Sequence, residues 1–196
     1  ARAWPVGDLQ SGLSNMVRIV LSTSRFWNAL WGAAALRSAE RITVAYAEFR
    51  HAFGRPIRDY PLVAQTLDDL RTDRRHHLAA VFNVLAAWER SRGAGCSRED
   101  QVRARILIML AKTCGTRRAT KRIHDAIMVL AGNGIEERFS ALPRLLRDAV
   151  IMETWEGPHG LLLTRSLLDI RRFGAAEDPG SFVNLMLGGP DDSDLG

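Results

Sequence analysis

Apolar residues recur at every third or fourth position over most of the chain. Between Gly12 and about Phe53 they fall at Leu13, Met16, Val17, Val20 and Leu21, then Ala29, Leu30, Ala33 and Leu36, then Ile42, Tyr46 and Phe49. That is the spacing of one face of a helix. It predicts one very long helix or two in tandem, with Gly32 as the place to kink. Phe53-Gly54-Arg55-Pro56 ends the run, because glycine frees the backbone and Pro56 disfavours helical geometry at Arg55. A second helix is predicted from about Pro61, a first-turn position that proline tolerates, to Trp88.

Ser97 and Asp100 make a weak capping box for a third helix, which carries Val102, Ile106, Ile108, Leu110, Ile123, Ile127 and Leu130. Ala131-Gly132-Asn133-Gly134 stops it. A short helix from about Ala141 to Glu153 and a last one from about Leu161 to Arg172 complete the set. No β-alternation of useful length appears. The predicted fold class is therefore all-α, an up-and-down four-helix-bundle-like domain over residues 11–173. Residues 174–196, rich in Gly, Asp and Pro, read as a flexible tail.

Composition changes this picture little. With 196 residues the chain can bury a real core, and 25% charged residues is ordinary for a folded domain. The net charge of +5 comes almost wholly from arginine, since Lys112 and Lys121 are the only lysines. Arginine suits planar recognition of phosphate and carboxylate, and it equally fits a compositional habit of the source genome. Cys96 and Cys114 lack the spacing of a metal site or a disulfide framework, which points to a reducing, cytoplasmic setting. No apolar run is long enough to span a bilayer. Residues 1–10, with Pro5 and Gly7 as punctuation, read as the end of an extended segment belonging to something longer.

Candidate chemistry centres on Arg147 to Gly157. Glu156 closes an apolar run between Trp155 and Gly157, and a carboxylate so placed is partly desolvated, as a general base working near neutral pH needs. By local sequence alone a surface glutamate at a helix end is the commoner case. Glu153, three residues earlier on roughly the same helix face, is the rival base. His76 and His77 point about 100° apart on a helix and find no third ligand at productive spacing, so no metal site is expected. Arg117, Arg118, Lys121 and Arg122 form the best candidate nucleic-acid surface, against the plainer reading of a solvated face.

Four segments in order resemble the C-terminal helical domain of the acyl-CoA dehydrogenase family: Arg50 to Ile57, Ala111-Lys112, Ala126 to Gly134, and Arg147-Asp148 through Glu156-Gly157. The likeness spans about residues 8 to 172. Asp59 to Leu62 and Leu142 to Leu145 resemble its AidB-like branch in particular. The resemblance implies an FAD-dependent oxidoreductase of fatty acid metabolism that dehydrogenates an acyl-CoA thioester between its α- and β-carbons. It implies a homotetramer with FAD at subunit interfaces, and an electron-transferring flavoprotein is one acceptor compatible with it.

Glu156 matches the family's base, whose own backbone N–H also donates to the thioester carbonyl. Arg50 matches the arginine that reaches the FAD pyrophosphate of a neighbouring subunit, Phe53 the aromatic beside it, and Gly132 a glycine that lets backbone approach the same cofactor. Some members carry the base on the first long helix beside an arginine matching Arg25; here that neighbour is Ser24, which cannot serve. Met128 stands where many members have a cofactor-holding glutamine. Pro158 and Gly160 remove polar side chains that usually follow the base, leaving backbone and His159 to substitute. Most flavin and substrate contacts would come from a helical and a β-domain preceding this one, of which residues 1–10 would be the end. The AidB-like branch is associated with DNA, which keeps DNA binding as the alternative function and a helical scaffold without flavin as the third.

Overall fold

The computed structural model describes residues 4, 5, 7–174 and 178–187. After a 3-10 turn, α1 (Gly12–Asn15), a π-helical turn (Met16–Val20) and α2 (Leu21–Phe49) follow end to end with helical dihedrals at each junction. One rod results. Its irregularity is the π turn, and α2 runs unbroken through Gly32, where the sequence predicted a kink. Gly32 makes room instead: a Cβ there would lie 2.8 Å from Cε1 of His77.

A two-residue hairpin follows, β1 (His51–Ala52) paired antiparallel with β2 (Arg55–Pro56). Phe53 at φ 49° and Gly54 at φ 87° form its tip, the pair of left-handed residues that a tight hairpin turn requires. Tyr60 braces the hairpin by donating to the Ala52 carbonyl at 2.8 Å while the Arg55 guanidinium lies 4.2 Å above its ring.

Helix α3 (Pro61–Arg90) starts with proline in its first turn, and α4 (Arg98–Leu130) starts with a complete capping box in which Ser97 and Asp100 exchange hydrogen bonds. Ion pairs record the register. Arg74 pairs with Glu40 and His77 reaches the Ala29 carbonyl, while Asp69 and Asp73 meet Arg122 and Arg118, so α2, α3 and α4 alternate in direction as predicted. A short α5 (Gly132–Ile135), then α6 (Leu142–Thr154) and α7 (His159–Arg172), complete the bundle, with α6 and α7 both packed on α4.

The tail differs in part from its prediction, because Pro179–Leu187 forms a helix, α8, with Phe182 packed near Phe173 at 6.2 Å between ring centroids. The rest of that stretch beyond Leu187, like residues 1–3, lies outside the described residues.

The buried face of α2 is built from small residues, among them Ala29, Gly32, Ala33, Ala35 and Ala39, which let α3 and α4 approach closely. Leu36, Leu70, Ile123 and Leu130 are almost fully enclosed. Each such side chain contributes roughly 1.5–3 kcal/mol by leaving water. Among the described residues no helix is long and apolar enough to cross a membrane.

Candidate functional site

Helix α6 stops at Thr154 because Trp155 adopts extended backbone dihedrals, φ −66° and ψ 145°. Glu156 then sits in the left-handed region at φ 60° and Gly157 at φ 112°, after which Pro158 caps the start of α7. Gly157 is required by its φ, and a Cβ there would also sit tightly against Leu162 at 3.0 Å.

Four backbone carbonyls of this loop and the helix turn before it are held by side chains from other helices. Arg25 on α2 donates from Nε to the Glu156 carbonyl at 2.9 Å. Lys112 on α4 donates to the carbonyls of Glu153 and Gly157, both at 2.7 Å. Asn28 makes a longer contact with the Trp155 carbonyl at 3.4 Å.

Lys112 has no exposed surface at all. Burial pushes its ammonium down to about 8, the nearby Arg25 charge adds to this, and the carboxylates of Glu153 and Glu156 oppose it. Burial also lowers the Arg25 guanidinium below its ordinary value, again opposed by Glu156. Both cations therefore feel the Glu156 charge. Glu153, the rival base, faces His159 across 3.4 Å, an ion-pair separation without hydrogen-bond geometry. Burial holds His159 below its ordinary value, with Glu153 opposing that shift. Beside the loop lies a cleft of about 590 Å³ walled by Ile19, Val20, Trp27, Trp31, Met152 and Trp155, with Thr23, Ser24 and Asn28 as polar groups.

The other predicted residues lie elsewhere. Arg50 caps the C-terminal end of α2, exposed and without an ion pair among the described residues. Phe53, at the hairpin tip, is 98% exposed. Gly132 opens α5, and Asn133 beside it donates to the Tyr46 hydroxyl at 3.1 Å, which brings that turn to the hairpin end of α2. The left-handed residue that ends α4 is Ala131 at φ 53°, and Gly134, whose Cβ would lie 2.5 Å from the Ile127 carbonyl, is the glycine demanded by packing. A Cβ at Gly132 would meet nothing within 4 Å, so no contact inside the chain requires glycine there. Met128, half exposed, helps line a second pocket of about 440 Å³ with Leu62, Val63 and Val129.

Arg25 and Phe49 mark the two ends of this arrangement on α2, about 36 Å apart at the rise of an α-helix. Glu156 and the Arg50, Phe53 and Gly132 group thus lie at opposite ends of α2.

A family model for the acyl-CoA dehydrogenase C-terminal domain matches residues 10–167. The chain belongs to the acyl-CoA dehydrogenase family. The putative acyl-CoA dehydrogenase AidB of Escherichia coli K12 is 30% identical over 149 residues, which is 74% of this chain and 27% of that protein. Among solved structures, the Bd2924 apo-form superimposes with a TM-score of 0.80 and 26% identity, covering 87% of this chain and 34% of that one. ACDH-11 of Caenorhabditis elegans, solved in complex with C11-CoA, matches with a TM-score of 0.77 and 24% identity over 84% of this chain and 28% of that one. The chain spans about a quarter of the length of the curated relatives AidB and acyl-CoA dehydrogenase family member 11 of Caenorhabditis elegans.

Within this acyl-CoA dehydrogenase domain the basic cluster is largely neutralised. Arg118 pairs with Asp73, Lys121 with Asp125, and Arg122 with Asp69, Asp73 and Asp125, which leaves Arg117 as the member without an ion pair among the described residues. His77 turns inward to the Ala29 carbonyl at 2.9 Å while His76 is exposed, so the two share no site.

Sequence reasoning assigned no role to Lys112, Tyr60 or Asn28. For Lys112 a signal existed: it is one of two lysines in a chain full of arginine, and it interrupts the apolar run from Ile106 to Ala111.

Proposed function

We propose that this chain is the C-terminal helical domain, residues 11–173, of an FAD-dependent enzyme that dehydrogenates an acyl-CoA thioester. In this reading Glu156 is the general base and Arg50, Phe53 and Gly132 form part of an FAD site shared between subunits. One observation supports it above the others. Among the described residues, the non-glycine positions with positive φ are Phe53, Ala131 and Glu156. Each is a residue assigned to the site by family likeness or, for Ala131, the immediate neighbour of one. Left-handed backbone in an L-residue is costly and concentrates where function requires it.

The residues fit the cofactor at the hairpin end. Phe53 offers an uncovered ring, Arg50 an uncommitted guanidinium suited to phosphate, and Gly132 an open approach to backbone. Met128 contributes an apolar surface where a polar donor would be usual. The chemistry FAD would supply there is acceptance of the hydride from the β-carbon. Glu156 takes the α-proton onto its carboxylate, and its backbone N–H stabilises the charge that develops on the thioester oxygen. The apolar cleft beside Trp155 gives the acyl chain a water-excluding wall. The 36 Å between the two ends of α2 fits one site assembled from two copies, as in a homo-oligomer, and other domains supply the remaining contacts.

The test uses the intact protein supplied with FAD and a saturated acyl-CoA, beginning with C11-CoA. Flavin absorbance bleaches on adding substrate, and Glu156→Gln stops bleaching while flavin stays bound. Full bleaching in that variant would move the base elsewhere, and a protein that ignores FAD would sink the reading.

A further inference from the structure

We propose that Lys112 and Arg25 form a two-cation clamp on the loop carrying Glu156, which makes Lys112 a positioning residue that sets the aim of the carboxylate. The inference rests on the reading of Glu156 as the base, and it concerns residues that act through the backbone of its loop.

The geometry is specific. Lys112 bridges the Glu153 and Gly157 carbonyls at 2.7 Å each, joining the last turn of α6 to the residue just past the base. Arg25 takes the carbonyl between them at 2.9 Å. The two cations come from different helices, α4 and α2, so the loop is pinned from two directions. A C-terminal helix cap alone would need only the Glu153 carbonyl. Gly157 lies outside the helix, and tying it to Glu153 spans the left-handed residue and fixes the direction of its Cα–Cβ bond.

Residue choice supports this role. Of 27 Lys and Arg residues only two are lysine, and one of these is the fully enclosed Lys112. An ammonium is a compact charge with three radiating donors and fits between two carbonyls, whereas a planar guanidinium fork does not. Its hydrogen-bond acceptors are main-chain oxygens and not a carboxylate, so its charge stays available to hold backbone. Burial of this charge costs stability, which a purely packing role would avoid by using an apolar residue.

Hydrogen exchange followed by mass spectrometry on the intact protein tests the clamp. In Lys112→Met, the hydrogen-bonded amides that flank the loop, at the end of α6 through Trp155 and at Leu161 and Leu162, exchange about tenfold faster or more than in wild type, while α3 keeps its protection. In Arg25→Gln the acceleration is smaller and centred on Trp155. Unchanged exchange at those flanking amides in Lys112→Met overturns the proposal, and if that variant does not fold, unchanged exchange at Trp155 in Arg25→Gln does so.

A kinetic arm separates positioning from packing. With FAD and a saturated medium-chain acyl-CoA, Lys112→Met lowers kcat about tenfold or more with little change in KM. A loosened loop with unaltered kcat overturns the positioning role. If wild-type protein shows no acyl-CoA-dependent bleaching, the proposed reaction fails, while the exchange data still decide the clamp by themselves.

Discussion

A methyl group added at Gly115 meets the imidazole of His77. The new Cβ would lie 2.5 Å from Cε1 and 2.6 Å from Nε2 of that ring, whereas carbon contacts settle at roughly 3.5–4.0 Å. The ring cannot retreat. Its Nε2 is tied to the Ala29 carbonyl at 2.9 Å, and Gly32 lies close enough that its own Cβ would reach Cε1 at 2.8 Å. Overpacking of this kind costs about 1–3 kcal/mol. Alanine returns up to about 1 kcal/mol as the better helix former in mid-α4. Gly115→Ala should therefore destabilise by about 1–2 kcal/mol, or roughly 2–8 °C in Tm for a chain of this size.

Urea unfolding followed by circular dichroism measures it, and a double-mutant cycle gives the decisive result. His77→Ala empties the space between α2, α3 and α4 at a cost of about 2–4 kcal/mol. In that background the Gly115→Ala methyl finds room, so it should stabilise by about 0.5–1 kcal/mol. The sign of one substitution thus depends on its neighbour. A Gly115→Ala that costs the same with and without the imidazole would refute the steric argument, as would a single variant at least as stable as wild type.

Acid sensitivity follows from the same histidine. Burial holds both His77 and His159 below the ordinary value of 6.5, so the unfolded chain takes up protons first as pH falls. Stability should be steady above that pH, decline as pH falls below it toward the folded values, and decline less steeply in His77→Gln; identical urea midpoints at about pH 5 and about pH 7.5 would contradict this. Ser97→Ala breaks the capping box of α4 and should cost about 1 kcal/mol, read from the urea midpoint, with earlier exchange confined to the first turn of that helix. Arg122→Leu leaves Asp73, whose side chain is 13% exposed, with only Arg118 at 3.5 Å. It should cost about 1–3 kcal/mol, after allowing for the more exposed Asp69, and less in high salt; a loss under about 0.5 kcal/mol would mean the network is decorative.

Helix periodicity made most of the fold legible before the structure, because faces such as that of α2 repeat over many turns and average out local exceptions. Punctuation was nearly as informative: Phe53-Gly54-Arg55-Pro56, Pro61 and Ser97 with Asp100 each act through the backbone of their own neighbourhood. Gly32 was misread because a glycine that bends a helix and one that admits a side chain from another helix look alike in sequence. Only the position of His77, 45 residues away, distinguishes them. Ala131 was missed because positive φ at an alanine has no compositional mark, unlike the glycine beside it. The candidate base could be named from its motif, whereas the side chains holding its loop, Arg25, Asn28 and Lys112, come from distant helices that no local pattern connects to it.

Glu156 at φ 60° has a consequence for anyone engineering this domain. An L-residue held in that region costs roughly 1–2 kcal/mol, which glycine would avoid. Glu156→Gly relieves that strain, so it should melt higher than Glu156→Ala, which equally leaves Lys112 and Arg25 without the nearby carboxylate. Among replacements of Glu156, a screen that ranks variants by melting temperature would enrich glycine, while a screen on the proposed base would keep only a carboxylate, so the two selections judge this one position by different atoms.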